Sequence, residues 1–205
     1  MRCSRKPARW AVVRIDPPPP QRSLKPIVQA LPTGARLLRI YRPKQHGSTA
    51  CGFRFEGPFS RFDHHDLGQR RGIHYSALTL SGCVVEVFGD TGVIEVEGCR
   101  LALLRTSRPL QLLDLRGHGA MRAGSVAALA ATADRDLSQQ WSRYFYGALA
   151  VDGLLYSNAH NNETAVALYE RAEDAISCEH NHALGPSWLR SRLQQIASDH
   201  ALVMI

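Results

Sequence analysis

The chain lacks the signatures of several large protein classes, and each absence excludes something. No run of eighteen apolar residues occurs, so no membrane-spanning helix is expected. The arginine-bearing N-terminus has no apolar segment and no small-residue cleavage site, so no secretory leader is expected either. Neither a GxGxxG turn nor a GxxxxGK[ST] loop is present, which removes the two commonest glycine-rich cradles for nucleotide phosphates. The GxSxG elbow is missing, and Ser157, His160 and Asp152 lie too close in sequence to meet as a hydrolase triad. Five cysteines (Cys3, Cys51, Cys83, Cys99, Cys178) include no CxxC pair. An odd, scattered count suits reduced thiols in a cytoplasmic protein better than a disulfide framework.

Histidines are plentiful, but zinc spacings are not. His64, His65 and His74 could meet across a loop, and Cys178, His180 and His182 alternate so that an extended segment would put them on one face. Neither group matches a paired CxxC or an HExxH, so no metal site is expected.

Acidic residues are scarce at the start of the chain. Residues 1–45 carry eleven Lys/Arg against the single Asp16, a net +10, whereas the remaining 160 residues are net −3. The overall +7 is therefore a property of the N-terminal segment. That segment contains PPPP at 17–20, which admits neither helix nor inner strand. It reads as a basic, proline-rich arm or linker over 1–34, docking through Ile27, Val28 and Leu31 onto a domain at 35–205. A solvated arm is not a folded basic face, so direct nucleic-acid binding is not expected.

From residue 35 the pattern is that of a mixed domain. Arg36–Tyr41 and Gly72–Ser76 read as strands, separated by a Gly/His/Pro-rich loop over 43–70. Leu80, Cys83, Val84, Val87 and Phe88 then recur at helical spacing with Thr79 as cap, and Glu86 falls on the flank of that stripe. Leu101–Arg105, Leu110–Leu115, Gly153–Tyr156 and Val166–Tyr169 read as strands. Helices are expected from Ser125, from Asp136 through Leu149 (with Trp141 and Phe145 in the core) and from Pro186. The irregular alternation argues for an α+β fold.

Four residues stand out in order: Arg39 in LRIYR, Arg61 in SRFD, Tyr75 in IHYSA, and Glu86 eleven residues after the tyrosine. Two guanidiniums can grip a diphosphate, an aromatic ring can stack on a planar leaving group, and a carboxylate can oppose a ribosyl cation. Together they suit chemistry on a dinucleotide such as NAD.

The same order, continued by QQWSRY, DGLLYSNAHN and AVALYERA, resembles the RES-domain family over about residues 36–175. The resemblance implies an ADP-ribosyltransferase-like mixed sheet with flanking helices. It implies a toxin of a bacterial toxin–antitoxin pair that cleaves NAD by phosphorolysis or hydrolysis, with phosphate a possible co-substrate. Carried over by position, Arg39, Tyr75 and Glu86 are catalytic, and Arg39, Arg61 and Tyr75 bind NAD. The family's late serine, two residues after the tyrosine, falls on Asn158, with Ser157 beside it. Arg42 and Arg71 are spare cations for a second anion. Also implied are a homodimer and an antitoxin with a helix-turn-helix DNA-binding domain. Alternatives are a mono-ADP-ribosyltransferase acting on protein, or a decayed interaction domain whose basic arm contacts nucleic acid.

Overall fold

The period-2 stretches of the sequence become strands of one curled sheet in a computed structural model that describes residues 14–21, 23–43, 48–63 and 71–205. In chain order the elements are β1 (Val28–Leu31), β2 (Arg36–Tyr41), β3 (Ile73–Ala77), α1 (Leu80–Phe88), β4 (Val93–Ile94), β5 (Arg100–Thr106), β6 (Leu110–Asp114) and α2 (His118–Arg122). They continue with α3 (Arg135–Ala148), β7 (Gly153–Ser157), β8 (Thr164–Tyr169), β9 (Ile176–Ala183), α4 (Ser187–Asp199) and β10 (Val203–Met204). Eight strands run in the order β1-β6-β7-β8-β3-β2-β5-β9, and β4 and β10 form a small parallel pair apart. Only the β6–β7 pairing is parallel within the large sheet. Mixed pairing with helices outside it is the expected α+β architecture.

Alternation sorts the side chains to two faces. One face carries Leu37, Tyr41, Leu104, Leu112, Leu155, Val166 and Leu168, which pack on one another as the sheet curls. The opposite face is covered by helices. Trp141 and Phe145 of α3 lie over β7 and β8, and α1 with α4 packs against β2 and β5. Each fully buried Leu, Val or Phe contributes about 1.5–3 kcal/mol, so these clusters hold the site's scaffold.

The sheet is nearly divided in the middle. β3 pairs with β8 over five residues and β2 pairs with β5 over six, yet β2 and β3 share only the Leu38–Ala77 pair. Beyond that pair the two strands part. Arg54 fills part of the gap by a two-way backbone bridge to Ile73, at 2.8 and 3.0 Å.

Several sequence expectations need correction. The helix expected from Ser125 is a 3₁₀ turn at Ala127–Ala130, and α2 precedes it. The Cys178–His182 stretch is extended, within the long edge strand β9, yet its three residues do not share a face. A bulge opposite Leu103 and Leu104 then splits its three candidate ligands. His180 pairs with Leu103 and Cys178 with Leu104, adjacent residues whose side chains point to opposite faces. His180 and His182 stack on each other, and His182 meets Trp188 of α4. Of the other trio, His64 and His65 lie outside the described residues, and His74 is buried. Among the described residues no group of three His, Cys, Asp or Glu could hold a metal ion, and no helix is long and apolar enough to cross a membrane.

The N-terminal segment enters the fold before residue 35. β1 is an edge strand on β6, so Val28 and Leu31 sit in the sheet itself. Upstream, the Asp16 carbonyl accepts from Trp141 Nε1 at 2.9 Å, and Ile15 packs against the α3 cluster. Residues 1–13, which hold four of the eleven Lys/Arg of residues 1–45, are outside the described residues.

Candidate active site

The parting of β2 and β3 opens a cavity of about 550 Å³. Arg39 from β2, Tyr75 from β3 and Glu86 from α1 line it, together with Arg42, Arg54, Phe59 and Ser76. Three of the four residues singled out in sequence therefore share one space, because β2, β3 and α1 converge at the joint of the sheet.

Arg39 has no carboxylate partner among the described residues. Its Nη1 bonds to His74 Nδ1 at 2.9 Å and reaches the Tyr75 carbonyl at 3.5 Å, while its buried Nε has no acceptor. Burial lowers its pKa to about 10, with the nearby Arg54 charge adding to the fall. It stays cationic at neutral pH, a desolvated charge awaiting an anion. A guanidinium has only donors to offer, so His74 Nδ1 accepts from it as a neutral imidazole in one tautomer, while in the other the Gly52 carbonyl, 3.2 Å away, accepts from the same nitrogen. Burial first, then the Arg39 charge, holds the His74 pKa well below its ordinary value.

Tyr75 is anchored through its hydroxyl. It donates to Asp63 Oδ1 at 2.9 Å and accepts from the Phe62 amide at 3.0 Å. Burial, then the Asp63 charge, pushes the phenol pKa well up, so the ring is neutral and held in place. Asp63 is fully buried and also accepts from the Phe59 and Ser60 amides, each at 2.9 Å, and from Arg54 Nη2 at 2.5 Å.

Glu86 is half-buried on the flank of α1. The helix starts where Thr79 Oγ1 accepts from the Gly82 amide at 2.9 Å, and Cys83, Val84 and Phe88 turn inward. Burial raises the Glu86 pKa. A hydrogen bond from Tyr156 at 2.9 Å and the charge of Arg61 draw it part of the way back. Tyr156 is 2% exposed and meets Phe62 edge-on at 4.9 Å. Sequence reasoning passed over it, although alternation puts it beside Leu154 on an apolar face, where a hydroxyl needs a partner.

The remaining predicted residues lie elsewhere. Arg61 is not in the cavity lining; its Nε donates to the Thr132 carbonyl at 3.3 Å, with Glu86 near enough to feel its charge. Ser157 ends β7 outside the lining. Asn158 is buried, donating to the Gly82 carbonyl at 3.2 Å and accepting from the His160 amide at 2.7 Å, which ties the 158–163 turn to α1. Of the spare cations, Arg42 lines the cavity but pairs with Glu95 at 2.6 Å. Arg71 is buried instead, donating to Ser142 and the Phe62 carbonyl between Tyr146 and Tyr169.

Comparison with known proteins bears on the fold and the family. A RES domain family model matches residues 36–190. Probable toxin y4kH of Sinorhizobium fredii (strain NBRC 101917 / NGR234) is 29% identical over 115 residues, covering 56% of this chain and 89% of that protein. The crystal structure of the M. tuberculosis MbcT–MbcA toxin–antitoxin complex contains a chain of the same fold. Its TM-score is 0.58 at 15% identity, over 79% of this chain and 90% of that one. With the family match running from β2 into α4 and so enclosing every cavity residue named above, this chain belongs to the RES-domain family.

Proposed function

We propose that this protein is an NAD-degrading toxin of a toxin–antitoxin pair, acting in the cytoplasm. The observation that carries the reading is Arg39, a half-buried guanidinium whose buried Nε has no acceptor and which has no carboxylate partner among the described residues, sharing one cavity with the half-buried carboxylate Glu86 and the anchored ring of Tyr75. A site offering a cation without a carboxylate partner, a half-buried carboxylate and an aromatic wall suits a substrate that brings a pyrophosphate, a developing ribosyl cation and a planar leaving group.

The bond between ribose C1′ and the nicotinamide nitrogen breaks with its electron pair leaving on nicotinamide. The pyridinium needs no proton and no metal to depart. Glu86 opposes the oxocarbenium-like centre in a partly dry cleft, Arg39 holds pyrophosphate, and Tyr75 stacks on nicotinamide. A water or phosphate oxygen then forms the new bond to C1′, and water gives up a proton in doing so. Asn158 contributes indirectly, by tying its turn to α1 and so setting the height of Glu86. The MbcT–MbcA complex, a toxin with its antitoxin, supports a cognate inhibitory protein for this chain; a helix-turn-helix domain in that antitoxin and a homodimeric toxin are the accompanying expectations.

The test is nicotinamide release from NAD by the purified protein, with and without phosphate, beside Glu86→Gln. Release that falls about 10²–10³-fold in the variant supports the role of Glu86, in line with loss of one electrostatic stabiliser. A release rate that rises with phosphate identifies phosphorolysis. A folded protein that releases no nicotinamide under either condition overturns the reading and turns attention to protein acceptors.

A further inference from the structure

We propose that Arg54, a residue with no role in the reading above, is the second guanidinium of the pyrophosphate clamp opposite Arg39, while Arg61 serves Glu86. The proposal rests on the NAD reading for its substrate, but its chemistry is that of any diphosphate.

Arg54 is built in rather than loosely placed. Its backbone is bridged both ways to Ile73 at the edge of the gap between β2 and β3. Its side chain lines the cavity and lies over the Phe59 ring, 5.1 Å from the ring centre. Nη2 donates to Asp63 at 2.5 Å and to Ser60 Oγ at 3.1 Å, which anchors one corner of the guanidinium and sets the plane of the rest. Asp63 also holds the Tyr75 hydroxyl, so one fully buried carboxylate fixes the aromatic wall and this arginine relative to each other. Such shared anchoring is what a preorganised binding site requires.

Charge supplies the second argument. Arg39 and Arg54 line the same cavity, and Arg54 is near enough to depress the Arg39 pKa. Asp63 balances Arg54, but Arg39 has no carboxylate partner among the described residues. An anion between the two relieves both the repulsion and the orphaned Nε donor, and a diphosphate offers acceptors to both forks at once. Arg61 is engaged elsewhere in the observed arrangement. It lies outside the lining, spends Nε on Thr132, and acts on Glu86 and Tyr156.

The test is calorimetric binding of ADP and of adenosine to the full chain, for wild type, Arg54→Gln, Arg54→Lys and Arg61→Gln, each checked for folding by its melting temperature. ADP affinity should fall about tenfold or more in Arg54→Gln and less in Arg54→Lys, with adenosine affinity unchanged. Those losses are what charge-assisted hydrogen bonds to phosphate are worth. Arg61→Gln should keep ADP affinity within about twofold while slowing nicotinamide release. Wild-type ADP affinity retained in a folded Arg54→Gln, or lost in Arg61→Gln instead, overturns the proposal. If Arg54→Gln does not fold, Arg54→Lys carries the same criterion. Absent ADP binding by wild type also overturns it. A wild type that binds ADP through Arg54 but releases no nicotinamide leaves the clamp standing and fells the NAD-cleaving reading alone. NAD cleavage with an unchanged KM in Arg54→Gln does the reverse.

Discussion

The Tyr156 hydroxyl donates to Glu86 Oε1 at 2.9 Å, joining two residues 70 apart in the chain. Burial pushes the Glu86 pKa up, and this bond is the largest influence holding it down. The phenol itself is kept neutral by burial and by the facing carboxylate, so the proton stays on Tyr156. The bond therefore favours the charged form of Glu86 where burial disfavours it.

Removing that bond should change the pH dependence more than the maximal rate. In Tyr156→Phe the carboxylate loses its donor and its pKa rises further. In the proposed mechanism nicotinamide release needs the ionised form, so the acid limb of the rate profile should move to higher pH. At high pH the rate should stay within about threefold of wild type. A uniform loss at every pH, with an unmoved limb, would show that Tyr156 serves packing only.

Asp63 should be the most stability-sensitive polar residue near the site. It is fully buried and takes hydrogen bonds from Arg54, Tyr75 and two backbone amides. Asp63→Ala leaves the half-buried Arg54 cation and several donors without their partner, at a cost of about 3 kcal/mol. In a domain of this size that lowers the melting temperature by roughly 6–12 °C. A drop below about 2 °C by calorimetry would contradict the role of Asp63 as the shared anchor.

His74 should make folding stability depend on pH below neutrality. Its folded pKa is depressed by burial and by Arg39, whereas in the unfolded chain it titrates near the ordinary value of 6.5. The unfolded state therefore binds the additional proton first. Stability is full above about pH 6.5 and falls as the pH drops toward the folded pKa. Urea unfolding at pH 7.5 and 5.5 should show a smaller pH-dependent loss for His74→Gln than for wild type. Equal losses would place the acid sensitivity in other groups.

Much of the candidate site was legible before any folding was considered. The LRIYR, IHYSA and VVEVF segments predict a strand, a strand and a helix, and Arg39, Tyr75 and Glu86 do line one cavity. The Thr79 cap and the apolar stripe of α1 are local properties, so the flank position of Glu86 followed directly. Arg61 was less legible. Its SRFD segment has no periodicity, and nothing local decides whether a loop arginine enters a cleft or reaches a carbonyl such as Thr132.

Local pattern thus determined the types of the elements that carry the site and their apolar faces, because capping, alternation and helical spacing are written in neighbouring residues, while the family showed in the order of the short motifs. Tertiary structure alone decided the rest. It parted β2 from β3 after one shared pair, brought Asp63 beneath both Tyr75 and Arg54, set Tyr156 against Glu86, and used a bulge to turn Cys178 away from His180 and His182. Each of these depends on strand pairing or contact between distant segments. Such choices are made by the packing of whole faces and the satisfaction of buried polar groups, which no single stretch of sequence encodes.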